Sequence, residues 1–194
     1  MLKALQEKLG YTFRDEELLR AALYHSSYAN EHRAQHILSN ERLEFLGDAV
    51  LGFVTAEFLF RHFPDAPEGD LTRTRAALVR EESLFEAAQE LGLGEYLLLG
   101  RGEESGGGRT RPSILADATE AVFAAMYLDG GIEPVRELIH RLRLRDSSIQ
   151  MAESRRRDYK TELQEFIQRK PHQALHYALT DSRVPTTPRC SPWR

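Results

Sequence analysis

With 194 residues, 41% of them hydrophobic and 29% charged, the chain can build one well-buried domain plus a small second module, and is too short for two full-sized domains. A formal net charge of −4 excludes binding of nucleic acid by bulk positive charge, so a polyanionic partner would need a local basic surface. The single cysteine, Cys190, excludes an intrachain disulfide framework and a cysteine metal cluster, and fits a reducing cytoplasm.

Residues 1–8 alternate charged and apolar side chains. They lack the apolar core of a signal peptide, and no later run reaches membrane length, so a cytoplasmic protein is expected. Helical periodicity predicts helices near 2–9, 15–23, 41–62, 70–91, 113–128 and 133–144, with no competing strand pattern up to about residue 145. Pro64 and Pro67 close the third of these, Gly92 and Gly94 the fourth, and Gly130-Gly131 separates the last two. An all-α bundle follows. Residues 101–112, rich in glycine and poor in apolar side chains, read as a flexible loop. No Gly-Lys-Ser/Thr follows these glycines, so they do not form a phosphate-binding Walker loop.

The first domain is expected to end near residue 147, followed by an arginine-rich linker over 148–157 and a second module over 158–194. Asp158 is a good N-cap, and Leu163, Phe166 and Ile167 give an apolar helical stripe. Alternation over residues 174–179 suits a strand. Residues 183–194 carry three prolines, three arginines and no periodicity, which reads as an unstructured tail.

The chemistry rests on five acids. Glu41, Glu44 and Asp48 stand at i, i+3 and i+7, which lines them up on one helix face. Glu41 and Glu44 could simply complement a helix dipole in a first turn capped by Ser39 or Asn40. Asp117 and Glu120, however, lie in a helix of small and apolar residues that should be central to the fold. Unpartnered burial would cost several kcal/mol or force protonation, so a cation shared between the two helices is the economical solution. Oxygen donors without a histidine or cysteine cluster favour Mg²⁺, or Mn²⁺ as a substitute, over zinc. Carboxylate-held Mg²⁺ points to phosphodiester hydrolysis. Diiron bundles fit less well, because none of these acids opens a Glu-x-x-His pair. All-α nucleotide pyrophosphohydrolases remain an alternative class of enzyme, and an RNA-binding chaperone a non-enzymatic one.

Glu-Arg-Leu-Glu-Phe-Leu-Gly-Asp-Ala at 41–49 and Leu-Ala-Asp-Ala-Thr-Glu-Ala at 115–121 resemble the signature motifs of bacterial ribonuclease III. His25-Ser26-Ser27-Tyr28, Glu68-Gly69-Asp70-Leu71-Thr72-Arg73 and Tyr127-Leu128-Asp129-Gly130-Gly131 extend the resemblance over residues 1–147. It implies an all-α endonuclease domain that acts as a homodimer. Such a domain cuts double-stranded RNA to leave 5′-phosphate and 3′-hydroxyl ends, with ribosomal RNA precursors and some mRNAs and tRNAs as substrates. The resemblance also implies that Glu44, Asp117 and Glu120 are the principal Mg²⁺ ligands, with Glu41 an additional acid, and that Asp48 and Glu120 are the catalytic acids. Phe45 would insert into a socket on the partner subunit, and Glu68 would lie near the partner's active site.

Asp158-Tyr159-Lys160-Thr161-Glu162-Leu163-Gln164-Glu165 is similar to the opening helix of a double-stranded RNA-binding domain, an α+β module that reads A-form shape. Here that module is expected to be incomplete. Back-translated with suitable codons and read two bases later, residues 183–194 give Gly-Pro-Asp-His-Ala-Pro-Leu-Phe-Thr-Val-Ala, which resembles the module's next strand. A frameshift near Ser182 is therefore expected.

Overall fold

The structure, a computed structural model, describes residues 2–144, all within the first of the two units into which the chain divides, 1–155 and 156–194. The expected linker at 148–157 and the RNA-binding-like module at 158–194 lie outside the described residues.

The described residues form nine α-helices: α1 (Leu2–Leu9), α2 (Glu16–Ala22), α3 (Ser26–Glu31), α4 (Glu41–His62), α5 (Glu68–Leu78), α6 (Glu81–Leu91), α7 (Arg101–Ser105), α8 (Pro112–Gly130) and α9 (Ile132–Arg143). The one β pairing among them is a parallel bridge between Tyr24 and Leu98. No described helix is long and apolar enough to cross a membrane.

Helix α8 is the axis of the bundle. Pro112 starts it at a position where a missing N–H costs nothing. From Ile114 to Met126 every residue except Asp117 and Glu120 is buried. Its small side chains let α2, α4, α6 and α9 pack around it. Leu5, Leu19, Leu51, Leu59, Leu91, Phe123 and Ile139 fill the space between, each contributing about 1.5–3 kcal/mol by leaving water. At the far end, a Cβ on Gly130 would lie 2.3 Å from the Tyr11 hydroxyl. That hydroxyl donates to Asp129 Oδ2 at 2.6 Å, and the N–H groups of Arg14 and Asp15 donate to the same carboxylate. Burial alone would raise the Asp129 pKa, but these three hydrogen bonds hold it below the usual carboxylate range.

Three features depart from the sequence expectation. The expected helix over 70–91 is two helices, broken at Val79 and Arg80, where Arg80 has extended backbone (φ −70°, ψ 160°). Neither glycine nor proline marks the break. The two halves bury different faces: at 100° per residue, the stripe of Ser83, Leu84, Ala87, Ala88 and Leu91 would sit about 130° away from that of Thr74 and Leu78 on a straight helix. Both stripes can face the core only if the chain turns between them. Helix α3 is the second departure, too short to show periodicity.

The third is the expected flexible loop over 101–112, which contains α7 and a 3-10 turn. Its order comes from polar contacts instead of apolar burial. Arg109 donates to the carbonyls of Gly94 (2.8 Å) and Leu97 (2.9 Å) and pairs with Glu104, while Arg111 pairs with Glu103. A Cβ on Gly94 would lie 2.3 Å from the Arg109 carbonyl oxygen, so that approach requires glycine.

Candidate metal centre

The acidic stripe enters the fold on the first two turns of α4. Asn40, just before that helix, is buried; its Nδ2 donates to the Ala22 carbonyl (3.1 Å) and its N–H to the Tyr24 carbonyl (2.9 Å). Its side chain makes no capping bond, so the helix start is fixed by tertiary contacts and not by an ordinary Asn cap. Ser39 donates to Glu41 Oε2 at 2.7 Å. Two turns in, α4 meets α8 at Gly47. A Cβ there would lie 1.9 Å from the Glu120 carbonyl oxygen, so the two helices touch backbone to backbone at the level of the acids.

This approach brings Glu44, Asp117 and Glu120 together, with one carboxylate oxygen from each lying within 4.8 Å of the others. All three are half-buried, and among the described residues no lysine or arginine pairs with them. Their pKa values record the cost. Burial, then the charges of Asp48, Glu44 and Asp117, pushes Glu120 up to about 8. Burial followed by Asp117, Glu41 and Asp48 raises Glu44. Asp117 is raised by burial and by Glu81, against an opposing pull from His25. A set of hard oxygen donors with too much negative charge for its surroundings fits a divalent cation such as Mg²⁺.

Glu41 and Asp48 are exposed and stand outside this group of three. Seven helical residues span about 10 Å, longer than the reach of one small cation's ligand shell, so the aligned stripe cannot all serve one ion. Both still act on the cluster through charge: Asp48 is the strongest of the charges raising Glu120, and Glu41 raises Glu44. Glu68 opens α5 as an exposed residue whose Oε1 accepts from the Thr72 hydroxyl at 2.7 Å. Phe45 is 80% exposed, which rules out a place in the core of this chain.

Two further residues act on the cluster through charge. Glu81 at the start of α6 carries no sequence signal beyond a helical first turn, and its charge raises Asp117. His25 belongs to the His-Ser-Ser-Tyr motif, a signal legible in sequence without a role attached to it.

A family model described as ribonuclease-III-like matches residues 15–147. Ribonuclease 3 of Oceanobacillus iheyensis is 45% identical over 185 residues, covering 95% of this chain and 81% of that protein. Ribonuclease 3 of Bacillus cereus is 48% identical over 183 residues, covering 94% of this chain and 74% of that protein. Among solved structures, the nuclease domain of ribonuclease III from Campylobacter jejuni superposes with a TM-score of 0.68 at 44% identity. It covers 73% of this chain and 95% of its own, and was described for flexibility in a region involved in dimer formation.

Proposed function

The chain belongs to the ribonuclease III family, and we infer from that membership that it is a Mg²⁺-dependent endoribonuclease acting on double-stranded RNA in RNA processing. It leaves 5′-phosphate and 3′-hydroxyl ends. The observation that carries the site assignment is the convergence of Glu44, Asp117 and Glu120 from two helices, without a cationic side chain among them.

Glu44, Asp117 and Glu120 hold the metal, and Glu41 serves the site from its edge. When bound, Mg²⁺ supplies charge neutralisation for the phosphate and lowers the pKa of water in its shell. The chain's own residues do the rest. Glu120, pushed up to about 8 by burial and its acidic neighbours, would be held as a carboxylate beside a bound cation, whose charge would offset the repulsion from those neighbours. Asp48 keeps a carboxylate next to Glu120 without occupying the ligand cluster, a position suited to accepting or returning a proton during hydrolysis. Gly47 holds the two acid-bearing helices at the separation the cluster needs.

Dimerisation is the second part of the reading. Phe45 and Phe53, eight residues apart on one face of α4, are 80% and 57% exposed. Large exposed aromatics on one face mark an interface, and Phe45 is the residue that inserts into the partner subunit.

Incubation of the purified protein with a long RNA duplex, with and without Mg²⁺, beside Glu120→Gln, tests the function. Metal-dependent cleavage that disappears in the variant is expected. Duplex binding without cleavage would favour a chaperone, and hydrolysis of nucleotides alone would favour a pyrophosphohydrolase.

A further inference from the structure

Helix α9 backs α8, which carries Asp117 and Glu120, through the buried face of Val135, Leu138, Ile139 and Leu142. Polar ties add to this apolar contact. Near the start of α9, Arg136 pairs with Glu57 of α4 at 2.8 Å and with Glu133. In its last turn, Arg143 donates to Ser83 Oγ and pairs with Glu86 of α6, while Arg141 donates to the carbonyls of Lys8 (2.7 Å) and Leu9 (3.1 Å). His140 lies between these ties. Phe58 of α4 contacts two imidazoles: the His62 ring stacks on it with centroids 4.0 Å apart, and the His140 ring meets it edge-on at 5.1 Å. A carbonyl can only accept, so His62 Nδ1 donates to the Phe58 carbonyl at 2.9 Å, which fixes the His62 ring. The three rings join the last turns of α4 and α9.

A cleft of about 460 Å³ opens over these rings, so protons reach them from solvent without unfolding. From α4 it is faced by Glu57, Arg61 and His62, and from α9 by Glu133 and Arg136; α8, α6 and α1 contribute none of its lining. Glu57 is the only carboxylate that α4 brings to the cleft, and it already receives Arg61 at 2.7 Å and Arg136 at 2.8 Å. Glu133 is exposed and receives Arg136. On α9 itself, Glu137 and Arg143, three residues to either side of His140, are opposite in sign. A proton added to His140 therefore meets two guanidinium groups and His62, with the inward carboxylate already engaged. We propose that the contact of His62 and His140 with Phe58 is an acid-sensitive latch: as a neutral ring His140 holds the last turn of α9 against α4, and its protonation releases that turn. Burial, then the charges of His62 and Arg136, lower the His140 pKa against an opposing pull from Glu57. The released turn thus binds the proton more readily than the docked one. The latch holds above the ordinary histidine value of 6.5 and weakens as pH falls below it.

Hydrogen exchange of the full chain, read by mass spectrometry on peptides from α9 and α8 at about pH 7.5 and about pH 5.5, tests the latch, with labelling times scaled to the chemical exchange rate. Acidification is expected to raise opening of the last turn of α9 roughly threefold or more, against a ceiling of about tenfold for one proton taken up a pH unit below the ordinary value. Peptides from α8 should show no such rise. Glu120, whose pKa is raised, acts on stability with the opposite sign, so a rise confined to α9 does not come from it. His140→Gln, neutral at both pH values, is expected to lose the rise. The same rise in His140→Gln would overturn the proposal, as would a rise shared equally by α8, the mark of general acid unfolding. An NMR titration of the wild-type imidazoles needs no variant: a His140 midpoint below 6.5 is expected, and one at or above that value would overturn the latch.

Discussion

The backbone contact between α4 and α8 makes Gly47→Ala the sharpest single perturbation of the site. The added methyl would sit 1.9 Å from the Glu120 carbonyl oxygen, where ordinary contact begins near 3.4 Å, so the helices must part by about 1.5 Å. The obstacle is backbone and cannot rotate away. Alanine gains about 1 kcal/mol over glycine in helix propensity, while overpacking a close contact costs about 1–3 kcal/mol or more. Net destabilisation of about 1–2 kcal/mol is expected, or roughly 5 °C in melting temperature for a chain of this size. The effect on function should be larger, because parting the helices moves Glu44 away from Asp117 and Glu120. A displacement of about 1 Å in a catalytic constellation costs on the order of 100-fold. Gly102→Ala is the control: it lies in α7, outside the two acid-bearing helices and the exposed aromatic face of α4, and its Cβ would meet nothing within 4 Å, so it should gain up to about 1 kcal/mol and keep full activity. Single-turnover cleavage of a duplex and thermal melts of both variants decide the matter. Gly47→Ala cleaving at the wild-type rate would show that the helix separation does not set the site.

Glu120 gives a pH dependence with a definite sign. Burial and its acidic neighbours push it up to about 8, above the ordinary glutamate value of 4.5, so the folded metal-free protein binds the extra proton and loses stability as pH rises from about 4.5 through about 8, by on the order of a few kcal/mol. Urea melts without metal should show this slope in wild type and a much flatter one in Glu120→Gln; equal slopes would refute the assignment. Mg²⁺ binding should tighten over the same interval, read by calorimetry at pH 6 and 8, because the proton competes with the metal. Asp129→Ala removes the acceptor for Tyr11, Arg14 and Asp15 and should cost about 1–3 kcal/mol in urea melts while leaving the Mg²⁺ midpoint unchanged; an altered midpoint would tie Asp129 to the site. Phe45→Ala should weaken dimerisation by roughly 30-fold or more, the effect of losing an anchor worth about 2 kcal/mol, as measured by sedimentation. Unchanged association would place the interface elsewhere.

Local signals made much of this protein legible before folding. Helices α1, α2, α4, α8 and α9 were expected within a few residues of their observed bounds, because their apolar periodicity and their Pro and Gly punctuation are properties of neighbouring residues. The acids of the site were legible for the same reason: Asp117 and Glu120 interrupt a run that is otherwise buried. The break at Val79–Arg80 was available in the change of buried face, about 130° at 100° per residue, but carries no breaker residue, and the 101–112 segment was missed because arginines and backbone carbonyls order it where apolar side chains do not.

Sequence by itself determined which residues are acidic, that five of them sit on two helices, and that one of those helices is central. Only the tertiary structure decided which acids meet. Residue spacing fixes angle around a single helix, but the gathering of Glu44 with Asp117 and Glu120, and the exclusion of Glu41 and Asp48 from that group, depends on where α4 crosses α8 and how closely. That crossing is set by the missing side chain of Gly47 against a carbonyl 73 residues away in the chain, a distance along the sequence over which no local pattern carries information.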